Sequence, residues 1–98
     1  MAPTHPRILL VTNDFPPTVG GIQSYLRDYA ETLNPENLVV FASTQDRALA
    51  AAFDATVNYQ VVRWPRSVML PTPATIRRMQ ELIRVHHIHT VWFGAAAP

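Results

Sequence analysis

A chain of 98 residues, 48% apolar and 15% charged, has the makeup of one small globular domain with a packed core, which excludes a disordered tail or a low-complexity linker. The absence of cysteine excludes disulfides and thiolate–metal chemistry, and no apolar run approaches the roughly 20 residues of a membrane span. Net charge is +1 but unevenly spread: residues 1–62 carry −3, while residues 63–98 carry +4 through five arginines against Glu81.

The leading MAPTHP has neither the basic nor the apolar part of a signal peptide, so a cytoplasmic protein is expected. Ile8–Thr12 (ILLVT) is a continuous apolar run, the pattern of a strand buried on both faces in a parallel sheet. From Ile22 the apolar residues Tyr25, Leu26, Tyr29, Ala30 and Leu33 follow at spacings of three and four, which predicts an amphipathic helix with all of them facing inward. Asn34-Pro35 ends it. Leu38–Ala42 (LVVFA) predicts a second buried strand. Residues 46–53 are alanine-rich and predict a short helix capped near Thr44 or Gln45. Residues 59–64 (YQVVRW) predict a third, more polar strand nearer an edge. Residues 73–86 predict a helix opened by Pro73, with Ile76, Met79, Leu82 and Ile83 inward. Thr90–Phe93 (TVWF) predicts a fourth strand.

Strands and helices alternate with short connections, so the fold class is α/β, a Rossmann-like doubly wound parallel sheet. A complete sheet of this kind has more strands and helices over both faces, so residues 1–98 are expected to be the opening part of a larger protein.

Ligands of such sheets bind beyond the carboxyl ends of the strands. NDFPPTVGGIQSY, residues 13–25, leaves the first strand there and enters the first helix. Gly20 and Gly21 lack side chains, so a bulky anion can come close to their backbone N–H groups. The helix start adds unpaired N–H groups and the positive end of a dipole. The same glycines would also serve a plain tight connection. Neither GxGxxG nor GxxxxGK[ST] is present, which disfavours ordinary dehydrogenases and P-loop enzymes.

The stretch ILLVTNDFPPTVGGIQSYLRDYAETL resembles the amino terminus of the GT4 family of retaining glycosyltransferases, enzymes of the two-domain GT-B fold. VTNDFPPTVGGIQSYL is most similar to the GDP-mannose-dependent phosphatidylinositol mannoside mannosyltransferases. The resemblance implies that Gly20, Gly21 and Gln23 line the donor diphosphate. There, fixed N–H donors favour the transition state as the leaving group gathers charge. It places Asp14 and Phe15 where the acceptor approaches. Asp14 can equally be an Asx-turn residue that shapes the loop. The nucleotide sugar, GDP-mannose by this likeness, is a co-substrate, and no cofactor or metal is implied. The basic residues and glutamate pair of the carboxy-terminal GT-B domain lie outside these residues, so no catalytic residue is assigned and the 98-residue chain alone is expected to be inactive.

Two further clusters carry expectations. His86, His87 and His89 suggest zinc, but His86 and His87 diverge by about 100° on a helix and no acidic ligand is near. A cation at a helix carboxyl end explains them better. In RWPRSVMLPTPATIRR the apolar Val68, Met69 and Leu70 sit among Arg63, Arg66, Arg77 and Arg78. Apolar residues ringed by arginine suit an anionic membrane, each basic residue contributing about 1 kcal/mol near the surface. No aromatic platform interleaves these arginines, so nucleic acid is not an expected partner. The sequence therefore predicts the acceptor-side portion of a retaining mannosyltransferase. Its partners are a nucleotide sugar, a phosphatidylinositol (mannoside) lipid acceptor, the inner face of the plasma membrane, which it meets peripherally, and a carboxy-terminal GT-B domain. The alternatives are a GT4 transferase with another nucleotide sugar and a soluble acceptor, or a non-enzymatic flavodoxin-like phosphate-binding domain. The flavodoxin-like rival would need an acidic cluster at the strand ends, where only Asp14 is suitably placed.

Overall fold

Four parallel strands form one sheet in the order β3-β2-β1-β4, with β1 Ile8–Thr12, β2 Leu38–Ala42, β3 Gln60–Arg63 and β4 Thr90–Phe93. This is a computed structural model, and it describes residues 7–13, 15 and 21–94, with residues 21–23 described by backbone alone. The helices are α1 Gly21–Glu31, α2 Arg47–Asp54 and α3 Pro73–Val85, and a 3₁₀ turn, Pro35–Asn37, follows α1.

The chain steps outward from β1 to β3, then crosses back to pair β4 with β1. Right-handed crossovers in both directions require helices on opposite faces, and the side chains show this. One core holds Leu10, Val40 and Tyr59 of the sheet side with Leu26 and Ala30 of α1 and Phe53 of α2. The other holds Leu9, Val11, Val39 and Phe41 with Met79, Leu82 and Ile83 of α3. Alternate residues of β1 and β2 thus feed different cores, which is why both strands read as unbroken apolar runs. The two edge strands are only partly covered; Phe93 of β4 is 66% exposed.

The inward stripes of two helices differ from the sequence expectation. Tyr25 is 68% exposed, because α1 meets the sheet through a narrower stripe centred on Leu26 and Ala30. Tyr29, at its margin, stacks on Trp92 with ring centroids 4.9 Å apart. In α3 the buried first-turn position is Thr75, and Ile76 faces out. The Thr72 hydroxyl accepts from the Thr75 backbone N–H and bonds its hydroxyl, which turns Thr75 inward and rotates Ile76 away. The cap of α2 is Asp46, whose carboxylate accepts from the Leu49 N–H, rather than Thr44 or Gln45.

The carboxyl end of α3 explains one histidine without any metal. His87 has φ 54°. Ile88 N–H donates to Ile83 O and His87 N–H to Arg84 O, the paired bonds of a Schellman stop. His87 thus occupies the position where glycine is usual. His89 is turned to β1, its Nδ1 accepting from the Arg7 N–H.

Tyr59 is buried against Phe15, and its hydroxyl has no hydrogen-bond partner among the described residues. Burial, with the charges of Glu31 and Asp54 adding, pushes that hydroxyl from 10.0 up to about 12. Below the lower value both folded and unfolded chains keep the proton. Between the two values the unfolded chain releases it first, so folding stability falls as pH rises through that window. Tyr59→Phe should unfold at the same or a slightly higher denaturant midpoint at neutral pH, since no hydrogen bond is lost. At about pH 11 it should be clearly the more stable protein. A midpoint that falls equally with pH in both proteins would remove Tyr59 as the cause.

Candidate functional site

Parallel strands bring all four carboxyl ends to one edge of the sheet, and between β1 and β4 the chain direction of travel reverses. Such a reversal is the usual ligand position in a doubly wound sheet. The segment following β1 leaves from this point. Gly21 is the first residue of α1, so its N–H is among those without an intrahelical acceptor. Asp14 and Gly20 lie outside the described residues, as does the side chain of Gln23.

Phe15 is placed differently from the expectation that it meets an acceptor. It is 2% exposed and turned into the core. Its ring meets Phe53 at 5.8 Å and Tyr59 at 6.4 Å, both edge-on, and the Arg63 guanidinium lies 5.8 Å from its centroid. An aromatic side chain so enclosed anchors the start of the loop from below.

Arg63 likewise leaves the group expected at a membrane. Its side chain is 14% exposed and gripped by Asp54: Nε is 3.1 Å from Oδ2 and Nη2 is 2.9 Å from Oδ1. Nη1 donates to Ser43 O at 2.8 Å. The guanidinium fork thereby ties β3 to the end of α2 and to the exit of β2, while its face covers Phe15. Arg78 pairs with Glu81 one turn on. Arg66 and Arg77 are exposed, as are Val68 and Leu70, whereas Met69 packs partly into the core of the α3 face. A groove of about 570 Å³ runs beside these residues, lined by Trp64, Arg66, Val68, Leu70, Ala74 and Thr75.

Polar residues to which the sequence assigned no role in the site complete the edge. The Asn13 side-chain oxygen accepts from the Met69 N–H at 2.7 Å, and the Ser43 hydroxyl donates to Asn13 O at 3.0 Å. Gln45 Nε2 donates to Ser67 O at 2.7 Å, and Thr44 N–H to Arg66 O at 2.9 Å. The signal for them was the polar pair or triplet closing each apolar run (Thr12-Asn13 and Ser43-Thr44-Gln45). A parallel sheet puts all of these at one edge.

No family model matches the chain. It is similar to the GDP-mannose-dependent monoacylated alpha-(1-6)-phosphatidylinositol monomannoside mannosyltransferase of Corynebacterium glutamicum, 63% identical over 92 residues, which is 94% of this chain and 24% of that protein. The GDP-mannose-dependent alpha-(1-6)-phosphatidylinositol monomannoside mannosyltransferase of Mycobacterium tuberculosis is 50% identical over 97 residues, 94% of this chain and 25% of that protein. The corresponding enzyme of Mycolicibacterium smegmatis is 50% identical over 95 residues, covering 93% and 24%. The chain spans about a quarter of the length of these curated relatives. Identity of 50–63% over nearly all of its own residues makes this chain a homologue of the GDP-mannose-dependent phosphatidylinositol monomannoside mannosyltransferases.

Proposed function

We propose that the whole protein transfers mannose, with retention, from GDP-mannose to a phosphatidylinositol mannoside at a membrane surface, and that residues 1–98 form part of its amino-terminal, acceptor-side domain. The observation that carries this is the 63% identity to a relative whose name states that donor and that class of acceptor. The fold supports it: the glycine-bearing segment leaves β1 at the reversal of the sheet, and Gly21 opens α1 toward it. In this reading the backbone N–H groups at Gly20 and Gly21 receive the donor diphosphate. Gln23 faces the same cleft and Asp14 meets the acceptor. The nucleotide sugar is the co-substrate and no metal or other cofactor takes part.

Attachment to the bilayer is assigned to Arg66, Val68, Leu70 and Arg77, at the mouth of the apolar groove. No helix among the described residues is long and apolar enough to cross a membrane. Peripheral binding at the inner face of the plasma membrane fits that finding and the +4 balance of residues 63–98. The test is the full-length protein with phosphatidylinositol monomannoside in anionic vesicles and either GDP-mannose or UDP-glucose. Mannose transfer with GDP-mannose alone is the expected result, and equal or greater transfer from UDP-glucose would overturn it. The double variant Arg66→Glu and Arg77→Glu should co-sediment with anionic vesicles several-fold less than the parent. Both proteins should bind less as salt rises, since exposed charges are screened over about 8 Å at physiological salt. Equal sedimentation would leave these arginines as a solvated surface only.

A further inference from the structure

We propose that Asn13 is a positioning residue that ties segment 66–70 to the loop following β1, so that the membrane-facing and donor-facing parts of the site are set together; this rests on the function proposed above. Segment 66–70 exposes Val68 and Leu70, yet its backbone is held at three points. Arg66 O accepts from Thr44 N–H, Ser67 O from the Gln45 amide, and Met69 N–H donates to the Asn13 side-chain oxygen. Two of these ties come from the exit of β2 and one from the exit of β1. Apolar side chains on a backbone fixed in this way meet a bilayer with little ordering left to do.

Asn13 belongs to both sides of the junction. Its side chain holds Met69, its carbonyl accepts from Ser43, and its chain runs directly into residues 14–20. A displacement of segment 66–70 on the membrane therefore pulls on the first residue of the glycine-bearing loop. The linkage is reciprocal: if a displaced Met69 shifts the donor-facing part of the site through Asn13, a bound diphosphate biases Asn13 and, through it, Met69. Asn13 needs no contact with either substrate for this. Its required feature is one acceptor oxygen at the end of a short side chain, which Asp keeps and Leu lacks.

The test uses the full-length protein, with transfer kinetics and amide hydrogen exchange measured on the same samples. Asn13→Leu should lower kcat/KM for the lipid acceptor about tenfold, the scale of one lost, partly buried hydrogen bond with its N–H left unpaired. It should also raise the KM for GDP-mannose several-fold, a shift that a loss confined to the acceptor side would not produce. Asn13→Asp should stay within about twofold of the parent. Gln45→Leu, on the exposed exit of β2, should move the GDP-mannose KM in the same direction by releasing Ser67. Exchange of the Met69 N–H should quicken in Asn13→Leu and in Gln45→Leu. If Asn13→Leu does not fold, Asn13→Ala takes its place. Unchanged exchange of the Met69 N–H in both variants, an unchanged KM for GDP-mannose, or Asp as impaired as Leu overturns the coupling even in a fully active enzyme. A parent that transfers no mannose overturns the functional reading instead, and the exchange measurement still decides the tie between the two loops.

Discussion

Arg63→Ala is expected to cost about 3 kcal/mol of folding stability, the range found when one partner of a largely buried ion pair is removed. Three losses coincide. The Asp54 carboxylate keeps its charge at 21% side-chain exposure with its cation gone. Ser43 O loses the Nη1 donor, and Phe15 loses the guanidinium over its ring. Arg63→Lys should recover only part of this, because a single ammonium cannot grip Asp54 through two nitrogens and reach Ser43 as well. Removing both charges, as Arg63→Met with Asp54→Leu, should be less damaging than Arg63→Ala alone, since no unpaired carboxylate remains. Denaturant unfolding of the three variants decides it. A parent-like midpoint for Arg63→Ala would show that the pair contributes nothing net.

Gly21→Val, or Gly20→Val, in the full-length enzyme should reduce kcat by about 10²–10³, the loss associated with one misplaced oxyanion donor. The thermal midpoint should move little by comparison. In the donor site proposed above, a branched Cβ at the start of α1 would stand between the backbone N–H groups and the diphosphate. Turnover of GDP-mannose is measured beside the melting curve. A variant that melts like the parent and turns over like it would remove these glycines from the donor site. A variant that loses both together would make them folding residues.

Much of the framework can be read along the chain. Ile8–Thr12, Leu38–Ala42 and Thr90–Phe93 have the same bounds in sequence and structure, because apolar runs are short and their flanks are polar or glycine. The helix positions follow from spacing and from Pro73. What could not be read is pairing over distance. A charge count treats Arg63 as one of five arginines, but Asp54, nine residues earlier, meets it only once α2 packs beside β3. Tyr25 and Ile76 were misplaced for a related reason: periodicity marks an apolar side of a helix but not how wide a strip the sheet will cover. Phe15 reads as a loop residue from its neighbours Pro16 and Pro17, and only the aromatic cluster of Phe53 and Tyr59 shows it is held inside. The exit of β1 was legible in the sequence as the carboxyl end of a parallel strand. The hydrogen bonds that bind Asn13 to Met69 and to Ser43 depend on three loops meeting, which no local pattern encodes.

The strand order also sets a timetable. β1 pairs with β2 in the register Ile8↔Leu38, and β2 with β3 in the register Val39↔Gln60, both separations modest enough for early closure. β4 reaches β1 through Ile8↔Thr90, across nearly the whole chain. On a ribosome, β1, β2 and β3 are made before β4 emerges. Until Thr90–Phe93 arrives, ILLVT is an open edge, with a row of unpaired backbone groups beside strongly apolar side chains. Of these four strands the one made latest is therefore the one that closes the β1 edge, and the interval before it docks leaves that apolar edge open to misassociation.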